Sequence, residues 1–252
     1  MNLYQTVLHG LDLNGKIILD AATGAGEATQ LWAEYIHKNQ MDARIISVDI
    51  DQPQEWIDRI KGELGGLEKY VEFYQADIID LDFLGDESID VLNCDSTIVF
   101  LNPRPLRLLD AFKEFHRVLK PGGKLIIVSE FPPENTPQTR GQWQRWNLAK
   151  AIWDLNGETW SVEPLPEEVE SAPKLLGFTS FQCHRFPGYP IRAFQACIDE
   201  WGEIMAEKIS ELAWPELRQV LSQQVQAVKE KICEEGFMLP DQYVLKCIKK
   251  LG

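Results

Sequence analysis

The sequence predicts an α/β fold with a seven-stranded, mostly parallel sheet flanked by helices and a helical insertion between the last two strands. Short runs of branched apolar residues alternate with longer segments of helical spacing, which is typical of βαβ units. A segment of about 55 residues between the last two predicted strands is helical in pattern and too long for a hairpin turn. With 252 residues and 44% hydrophobic content, the chain can bury one core with appended structure.

The predicted strands share short apolar runs bounded by turn-forming residues. Because most of them alternate with helices, we expect those strands to pair in parallel. They are Lys16–Leu19, Arg44–Val48, Val71–Gln75, Ile89–Asn93, Lys124–Ser129, Phe178–Phe186 and Tyr243–Ile248.

Two predicted helices connect strands of this sheet. Glu27–His37 and Pro105–Leu119 carry apolar side chains at helical spacing, as crossover helices packed on a parallel sheet do. The second helix is expected to stop at Pro121-Gly122-Gly123, which cannot continue a helix and turns the chain into the next strand. A proline-rich link at residues 131–137 then leads into a tryptophan-rich helix.

The predicted domain organisation is one core, residues 1–187 and 237–252, with an insertion at residues 188–236. Two amphipathic helices are expected in the insertion, with apolar stripes from Phe194 to Leu212 and from Leu217 to Ile232. The paired helices are interpreted either as a lid over a ligand site or as a dimer interface. Monomer and homodimer therefore both stay open.

Composition disfavours several partners and locations. The net charge of -14 argues against a protein that neutralises nucleic-acid phosphates, because that requires clustered Lys and Arg. No basic segment followed by an apolar run is visible at Met1, and no apolar stretch reaches membrane-spanning length, so we expect no membrane association and a cytoplasmic location. The 5 cysteines form no C-x-x-C pair, which predicts reduced, mostly packed thiols and no metal site.

A glycine-containing loop follows the first predicted strand. Leu19-Asp20 runs through Ala21, Ala22 and Thr23 into Gly24-Ala25-Gly26 at the start of a helix. Glycines in such a loop let a ligand approach the backbone closely. The pattern is also compatible with an ordinary tight strand-to-helix connection. It predicts a nucleotide-like ligand only when other positions agree with it.

Aspartates end three successive predicted strands. After Asp20, Asp49 ends the second strand and Asp77 follows the third. Open α/β sheets bind ligands outside the carboxyl ends of their strands. There Asp49 can accept the hydroxyls of a ribose, and Asp77 can accept an exocyclic adenine amine. Asp49 is also a candidate helix N-cap, although Asp51 is better placed for that role.

Five landmarks occur in the order found in one enzyme family: Leu19–Gly26, Val48-Asp49, Ala76-Asp77, Ser88–Leu92 and Phe115–Gly123. The sequence thereby resembles the class I S-adenosylmethionine-dependent methyltransferases, most closely their ubiquinone/menaquinone-biosynthesis-like small-molecule branch. The resemblance implies a Rossmann-like fold, S-adenosylmethionine as the cofactor, and in-line transfer of its methyl group to a small-molecule acceptor. The helical insertion has no counterpart in the resemblance.

The resemblance assigns residues to the methionine end of the cofactor. The loop of Gly24 and Gly26 would hold the methionine moiety, and Asp20 would orient its amine. Asn93 and Cys94, at the end of the fourth strand, would face the sulfonium.

For the nucleoside end, the resemblance implies that Asp49 holds the ribose. Asp77 and Ile78 would hold the adenine. The full predicted cofactor-binding set is Asp20, Ala22, Thr23, Gly24, Gly26, Thr29, Asp49, Ile50, Asp77, Ile78, Asn93 and Cys94.

Two positions depart from the family pattern. Ala22 stands where the loop's first glycine is usual, and we expect this to change the loop's geometry and not its binding. The fourth strand runs into Asn93-Cys94-Asp95-Ser96 and not into the Asn-Pro-Pro-Tyr pattern of enzymes that methylate planar amides and base amines. Those acceptors are therefore disfavoured.

The sequence evidence is weaker for the residues that would contact the methyl acceptor. Asp95 is the candidate general base if the acceptor needs deprotonation, and a turn-forming Asp-Ser pair explains it equally well. Arg140 and Trp143 are candidates for a substrate pocket, and helix packing is the alternative explanation for this tryptophan-rich segment. His184 is expected to be buried within the sixth strand.

Two other functions stay open. A nicotinamide-dependent oxidoreductase would use Gly24-Ala25-Gly26 as the start of a G-x-G-x-x-G fingerprint, but Thr29 occupies the third glycine position. That function also leaves Asp20 and Asp77 without a role. An S-adenosylmethionine-binding protein without catalysis fits as well, because every landmark concerns the methyl donor and none fixes an acceptor.

Overall fold

The computed structural model describes residues 2–101, 105–160, 163–191 and 195–251. Within these ranges the helices are α1 (Leu3–Leu8), α2 (Glu27–Lys38), α3 (Gln54–Leu64), α4 (Ile98–Leu101), α5 (Pro105–Val118), α6 (Arg140–Leu155), α7 (Pro166–Leu175), α8 (Gln195–Glu211) and α9 (Pro215–Glu235), with a 3-10 helix at Glu68–Tyr70. The strands in the same ranges are β1 (Lys16–Ala21), β2 (Ala43–Asp49), β3 (Val71–Gln75), β4 (Ile89–Asp95), β5 (Leu119–Glu130), β6 (Phe178–Phe186), β7 (Pro190–Ile191), β8 (Phe237–Met238) and β9 (Gln242–Lys249).

The main sheet has seven strands in the order β3-β2-β1-β4-β5-β9-β6. The pairs β1–β2, β1–β4, β2–β3 and β4–β5 are parallel. This architecture confirms the predicted α/β fold with its mostly parallel sheet. The chain winds outward from β1 in one direction and from β4 in the other, so the β1–β4 boundary is the switch point where such sheets bind ligands.

The sheet is buried where helices cover both of its faces, which explains the continuous apolar runs of the central strands. Ile18, Ile45 and Val91 of the strands pack with Trp32 and Ile36 of α2 in one buried cluster. The apolar periodicity of residues 27–37 therefore predicted the helix and also the face that it buries.

The Pro-Gly-Gly turn lies inside a strand and not between a helix and a strand. Helix α5 ends at Val118 and β5 already begins at Leu119. Leu119 pairs with Ile89 and Lys124 pairs with Val91, so the residues between Leu119 and Lys124 form a bulge. The prediction that this turn stops the helix and starts the next strand was wrong in this detail, because pairing with β4 begins before the turn.

The chain divides into two compact units. Unit 1 comprises residues 1–129, 164–186 and 243–252, and unit 2 comprises residues 130–163 and 187–242. The sequence analysis placed residues 130–163 in the core domain, whereas in the structure they group with the insertion helices.

Packing explains this difference. Ala149 and Ile152 of α6 share a buried apolar cluster with the stripes of α8 and α9. Those stripes, predicted as the face of a lid or of a dimer interface, thus form the interior of unit 2. The buried stripe residues are Ile198, Trp201, Met205, Ile209, Leu212, Leu221, Val225, Val228 and Ile232. Phe194, the first residue of the predicted stripe, lies outside the described residues.

Two expectations about single side chains were wrong. Cys94 and Cys247 are buried, but Cys183, Cys197 and Cys233 are exposed, so most of the thiols are not packed. His184 is exposed because β6 is the edge strand of the sheet and few side chains cover it.

Membrane-spanning helices and metal-binding clusters are both absent from the described part of the chain. No helix there is long and apolar enough to cross a membrane. Among the same residues, no group of three or more His, Cys, Asp or Glu side chains is arranged to hold a metal ion.

Lys249 allows a test of how β9 is fixed to α5. The residue is 7% exposed, and its Nζ donates to the carbonyl oxygens of His116 and Leu119, both at 2.8 Å. We expect Lys249→Met to lower the free energy of unfolding by about 2 kcal/mol, because two carbonyls lose a charged donor. Urea denaturation measures this change. The exposed neighbour Lys250→Met is the matched control, and equal losses in the two variants would contradict the assignment.

Candidate functional site

The loop between β1 and α2 is anchored to β2 by its backbone. The amides of Ala22 and Thr23 both donate to the carbonyl of Val48, at 2.8 and 2.9 Å. The amide of Gly26 donates to the carbonyl of Thr23 at 2.9 Å. These bonds hold the turn tightly at the carboxyl edge of the sheet, directly before the N-terminus of α2.

Ala22 adopts the conformation that glycine favours. Its φ is 69°, and Gly24 and Gly26 in the same loop have φ values of 51° and 92°. The expectation that Ala22 changes the loop's geometry stays a prediction. The backbone keeps a left-handed residue there, which costs an alanine about 1 kcal/mol.

A buried hydrogen-bond network lies beneath the loop. Asp20, at the end of β1, accepts from Thr29 Oγ1 at 2.5 Å and from Asn93 Nδ2 at 3.1 Å. The hydroxyl of Ser47 lies 3.0 Å from that of Thr29 and 2.5 Å from that of Thr23. The network thus joins three strands, the loop and α2.

Sequence analysis missed Ser47. A serine within the apolar strand β2 is a signal of a buried polar contact, because a hydroxyl in such a position needs a partner. Thr29, assigned to the cofactor set, has no solvent-exposed surface in the structure. It contacts Asp20 and Ser47 and supports the loop from below, so direct contact with a ligand does not follow from its position.

The carboxyl group of Asp20 is also fully buried. Burial raises its pKa to about 6, although the hydrogen bonds from Thr29 and Asn93 lower it. The negative charges of Asp95 and Asp49 raise the pKa further. Asp20 is therefore held within reach of other carboxylates, but it lies beneath the loop and not at its surface.

Asp49 is tied to the glycine loop. Its Oδ2 accepts from the amide of Gly24 at 2.8 Å, and its Oδ1 accepts from the amide of Asp51 at 3.2 Å. The alternative role as a helix N-cap was wrong for both aspartates, because the N-cap of α3 is Pro53 and no side chain caps that helix. The carboxylate instead sets the position of the loop beside the end of β2.

Asp77 forms an ion pair that the sequence analysis did not foresee. Its Oδ2 lies 2.6 Å from Nη2 of Arg107, on α5, and its Oδ1 accepts from the amide of Ile79 at 3.2 Å. Both partners of the ion pair are partly exposed. Of the two neighbouring isoleucines in the predicted set, Ile50 is 58% exposed and Ile78 is buried.

Asp95 is the last residue of β4. Ser96 Oγ donates to Asp95 Oδ1 at 2.9 Å, and Ser96 has a φ of 52°, so the expected Asp-Ser turn is present. Burial raises the pKa of Asp95 to about 6, and the nearby charge of Glu27 contributes to this rise. Cys94 has no exposed surface, and burial raises the pKa of its thiol.

Asn93 is the site residue with an unused polar atom. It is 1% exposed, and its Nδ2 donates to Asp20. Its Oδ1 has no hydrogen-bond partner in the described part of the chain. A buried carbonyl oxygen without a donor is rare and suggests that a ligand supplies one.

The structure brings the predicted donor-site residues together at one edge of unit 1. Asp20, Asp49 and Asp95 lie within the last two residues of the neighbouring parallel strands β1, β2 and β4, and Asp77 comes two residues after β3. The candidate acceptor residues Arg140 and Trp143 lie in unit 2. Within that unit Trp153 and Trp160 pack edge to face with ring centroids 4.6 Å apart, which agrees with helix packing for part of the tryptophan-rich segment.

Residues 19–127 match a family described as a methyltransferase domain. A demethylmenaquinone methyltransferase of Thermus thermophilus is 36% identical over 118 residues, which cover 47% of this chain and 48% of that protein. A ubiquinone/menaquinone biosynthesis C-methyltransferase of Azotobacter vinelandii is 31% identical over 121 residues, which cover 48% of this chain and 45% of that protein. The chain thus spans about half the length of these relatives.

Solved structures with the same fold cover the whole chain. The YcgJ protein of Bacillus subtilis has a TM-score of 0.60 at 17% identity and covers 99% of this chain and 98% of its own. A S-adenosylmethionine-dependent methyltransferase of Methanosarcina mazei also has a TM-score of 0.60 at 17% identity, with 100% of both chains covered. At this identity the likeness concerns the fold alone, and it confirms the Rossmann-like arrangement.

Two glycines of the loop provide a matched test of its geometry. A Cβ at Gly26 would lie 2.8 Å from Cγ1 of the buried, branched Ile60, whereas a Cβ at Gly24 would meet nothing within 4 Å. We expect Gly26→Ala to lower the free energy of unfolding by about 3 kcal/mol, from left-handed strain and overpacking together. Gly24→Ala should cost only the strain, about 1 kcal/mol. Urea denaturation compares them, and equal costs would contradict the packing at Ile60.

Proposed function

We propose that this protein transfers a methyl group from S-adenosylmethionine to a small-molecule acceptor, because residues 19–127 match a family described as a methyltransferase domain and resemble a demethylmenaquinone methyltransferase. The observation that carries the proposal is the glycine loop with carboxylates after three neighbouring parallel strands, within the residues that match the family. A sheet of this kind binds its ligand at that edge.

The residues at the edge fit the chemistry of this cofactor. Asp49 has a carboxylate that can accept two ribose hydroxyls, and the exposed side chain of Ile50 offers apolar surface for a purine ring. Asp77 would accept the adenine amine in competition with Arg107. The unpartnered Oδ1 of Asn93 would accept a hydrogen bond from an ammonium group.

Charge complementarity supports a cationic cofactor. The charges of Asp95 and Asp49 raise the pKa of Asp20, and the charge of Glu27 raises the pKa of Asp95. S-adenosylmethionine, when bound, supplies an electrophilic methyl group on a positively charged sulfonium. The carboxylates of the chain would hold that cation and keep it aligned, and alignment with exclusion of water supplies much of the acceleration in such a displacement.

Asp95 is the proposed general base for acceptors that must lose a proton. A carboxyl group whose pKa is about 6 is ionised at neutral pH and is a stronger base than an ordinary aspartate. Asp95 is the last residue of β4 and lies at the same edge of the sheet as the loop. For acceptors that need no deprotonation, Asp95 would act only through its charge.

The acceptor is proposed as a small molecule because the two relatives are named for quinone biosynthesis. Contacts of Arg140 and Trp143 with the acceptor remain a prediction, as does the role of the insertion as a lid or a dimer interface. The cytoplasmic location is likewise proposed. Binding of the cofactor without catalysis is the rival outcome, and it predicts tight binding with no turnover of any acceptor.

Calorimetric titration tests the donor. We expect heat of binding with S-adenosylmethionine and with S-adenosylhomocysteine, and none with NADH. Asp49→Asn should weaken binding of S-adenosylmethionine by about tenfold or more, because one partner of the ribose hydroxyls loses its charge. The exposed Asp51→Asn removes the same charge two residues away and is the control. Binding of NADH alone would overturn the proposal, and a screen of acceptors then separates catalysis from binding.

The pKa of Asp95 gives a pH test. As pH rises through about 6, Asp95 loses its proton and becomes negative, which favours the sulfonium cation over the neutral thioether of S-adenosylhomocysteine. The ratio of the two affinities should therefore rise severalfold between about pH 5 and about pH 7.5. Asp95→Asn should reduce this rise, and any remaining part reports Asp20, whose pKa is also about 6. A ratio that stays constant with pH in the unmodified protein would contradict the role of these carboxylates.

A further inference from the structure

Unit 1 contains a cavity of about 600 Å³ away from the glycine loop. The segment after α1, strand β5 and the two last strands of the sheet, β9 and β6, contribute its walls. Its charged and titratable nitrogen groups are those of His9, Lys124, His184, Arg185 and Lys246. No aspartate or glutamate is among its lining residues, although the chain has a net charge of -14.

Two lysines converge at one end of this cavity. Lys246 Nζ donates to the carbonyl of Val7 at 2.9 Å, and Lys124 Nζ donates to the carbonyl of Gly10 at 3.1 Å. Neither lysine has an ion-pair partner in the part of the chain that the structure describes. Their charges are thus partly satisfied by neutral carbonyls and are not neutralised by carboxylates.

The two ammonium groups repel each other. Burial, together with the charge of Lys124, lowers the pKa of Lys246 to about 8. A protein that gathers like charges in one cavity keeps them at an energetic cost unless a ligand of opposite charge compensates. The cavity also offers neutral donors, Ser180 and Gln182, on β6.

The backbone at the cavity wall is strained. Ser180 has a φ of 57°, in the left-handed region, although it lies within a strand. Conformations of this kind cost of order 1 kcal/mol or more and concentrate at ligand-binding sites. This observation is independent of the charges and points to the same place.

We propose that this cavity is a binding site for a small multivalent oxyanion of the phosphate or polycarboxylate type, held by Lys124 and Lys246 with the neutral donors of β6. The site is distinct from the proposed cofactor site. Strand β5 pairs Lys124 with Val91 and Val128 with Asp95, so Lys124 lies toward the amino ends of the parallel strands. The carboxylates of the cofactor site follow the carboxyl ends. The proposal does not depend on methyl transfer.

Calorimetry with pyrophosphate as the probe tests the site, at low and constant ionic strength because added salt screens such contacts. We expect saturable binding of pyrophosphate, and weaker binding of inorganic phosphate, which carries less charge. Citrate tests whether carboxylates serve as well. Absence of saturable binding of all three probes would overturn the proposal.

Substitutions then locate the site. Lys246→Gln and Lys124→Gln should each weaken pyrophosphate binding by about tenfold or more, the effect of losing one charged donor. Lys250→Gln removes the same charge from an exposed position outside the cavity and should change the affinity less than about twofold. Equal losses in Lys250→Gln and Lys246→Gln would overturn the assignment. The affinity for S-adenosylmethionine should be unchanged in all three variants, which separates this test from that of the proposed function.

Chemical labelling of the unmodified protein avoids any effect of substitution on folding. A lysine with a pKa of about 8 is more often neutral, and so more reactive toward acetic anhydride, than an ordinary lysine at the same pH. Pyrophosphate should slow acetylation of Lys246 at least about fivefold by favouring its charged form. Acetylation of Lys250, read by mass spectrometry from the same samples, should not change. Lack of protection at Lys246 would contradict the proposal.

Discussion

The structure of unit 1 depends on one buried carboxylate, that of Asp20. Removing a carboxylate from water is unfavourable unless hydrogen bonds compensate, and here Thr29 and Asn93 provide them. Thr29 belongs to α2 and Asn93 to β4. The hydrogen bonds of one carboxylate therefore fix the positions of a helix and a second strand relative to β1. Ser47 extends the same constraint to β2 and to the loop. These hydrogen bonds restrict the motion of the loop and leave its opposite side available to a ligand. Because the loop is already ordered, a ligand can bind there with little loss of conformational entropy.

This constraint also sets the electrostatics of the cofactor edge. The network holds Asp20 near Asp49 and Asp95, and the charges of these two carboxylates raise the pKa of Asp20. The negative charge of these carboxylates favours a cationic ligand over an anionic one. Asp77 differs because Arg107 neutralises it. The edge is thus most negative at the loop and nearly neutral at the end of β3, a gradient that matches a cofactor with a cationic methionine half and a neutral adenine.

The spacing of apolar residues predicted the main sheet well because this spacing involves only residues that are close in sequence. Each strand of the sheet and α2, α5, α8 and α9 could be read from apolar spacing alone. The short helices α1 and α4 carry too few residues for a periodic signal, and the bulge in β5 depends on its pairing with β4. The extent of unit 2 was missed for a similar reason. An amphipathic helix such as α6 shows that one face is buried, but it does not show which partner buries it.

The same distinction separates the site residues that sequence predicted from those it missed. Asp20, Asp49 and Asp77 could be found because strand ends converge in any parallel sheet. Arg107 could not be found, since its importance comes from a contact with a residue distant in sequence. Ser47 offered one signal, a hydroxyl within an apolar strand, but its partner Thr29 could not be identified from sequence. The net charge of the chain is a poor guide to local charge for the same reason, because it does not show which residues folding brings together. Lys124 and Lys246 belong to an acidic chain and are far apart in sequence, yet β5 and β9 are neighbours in the sheet. Folding therefore places a group of carboxylates at the carboxyl ends of β1, β2 and β4 and brings Lys124 and Lys246 together in a cavity toward the amino ends. An overall charge of -14 consequently disfavours an extended polyanion such as nucleic acid, but it does not argue against a small anion that fits inside the cavity.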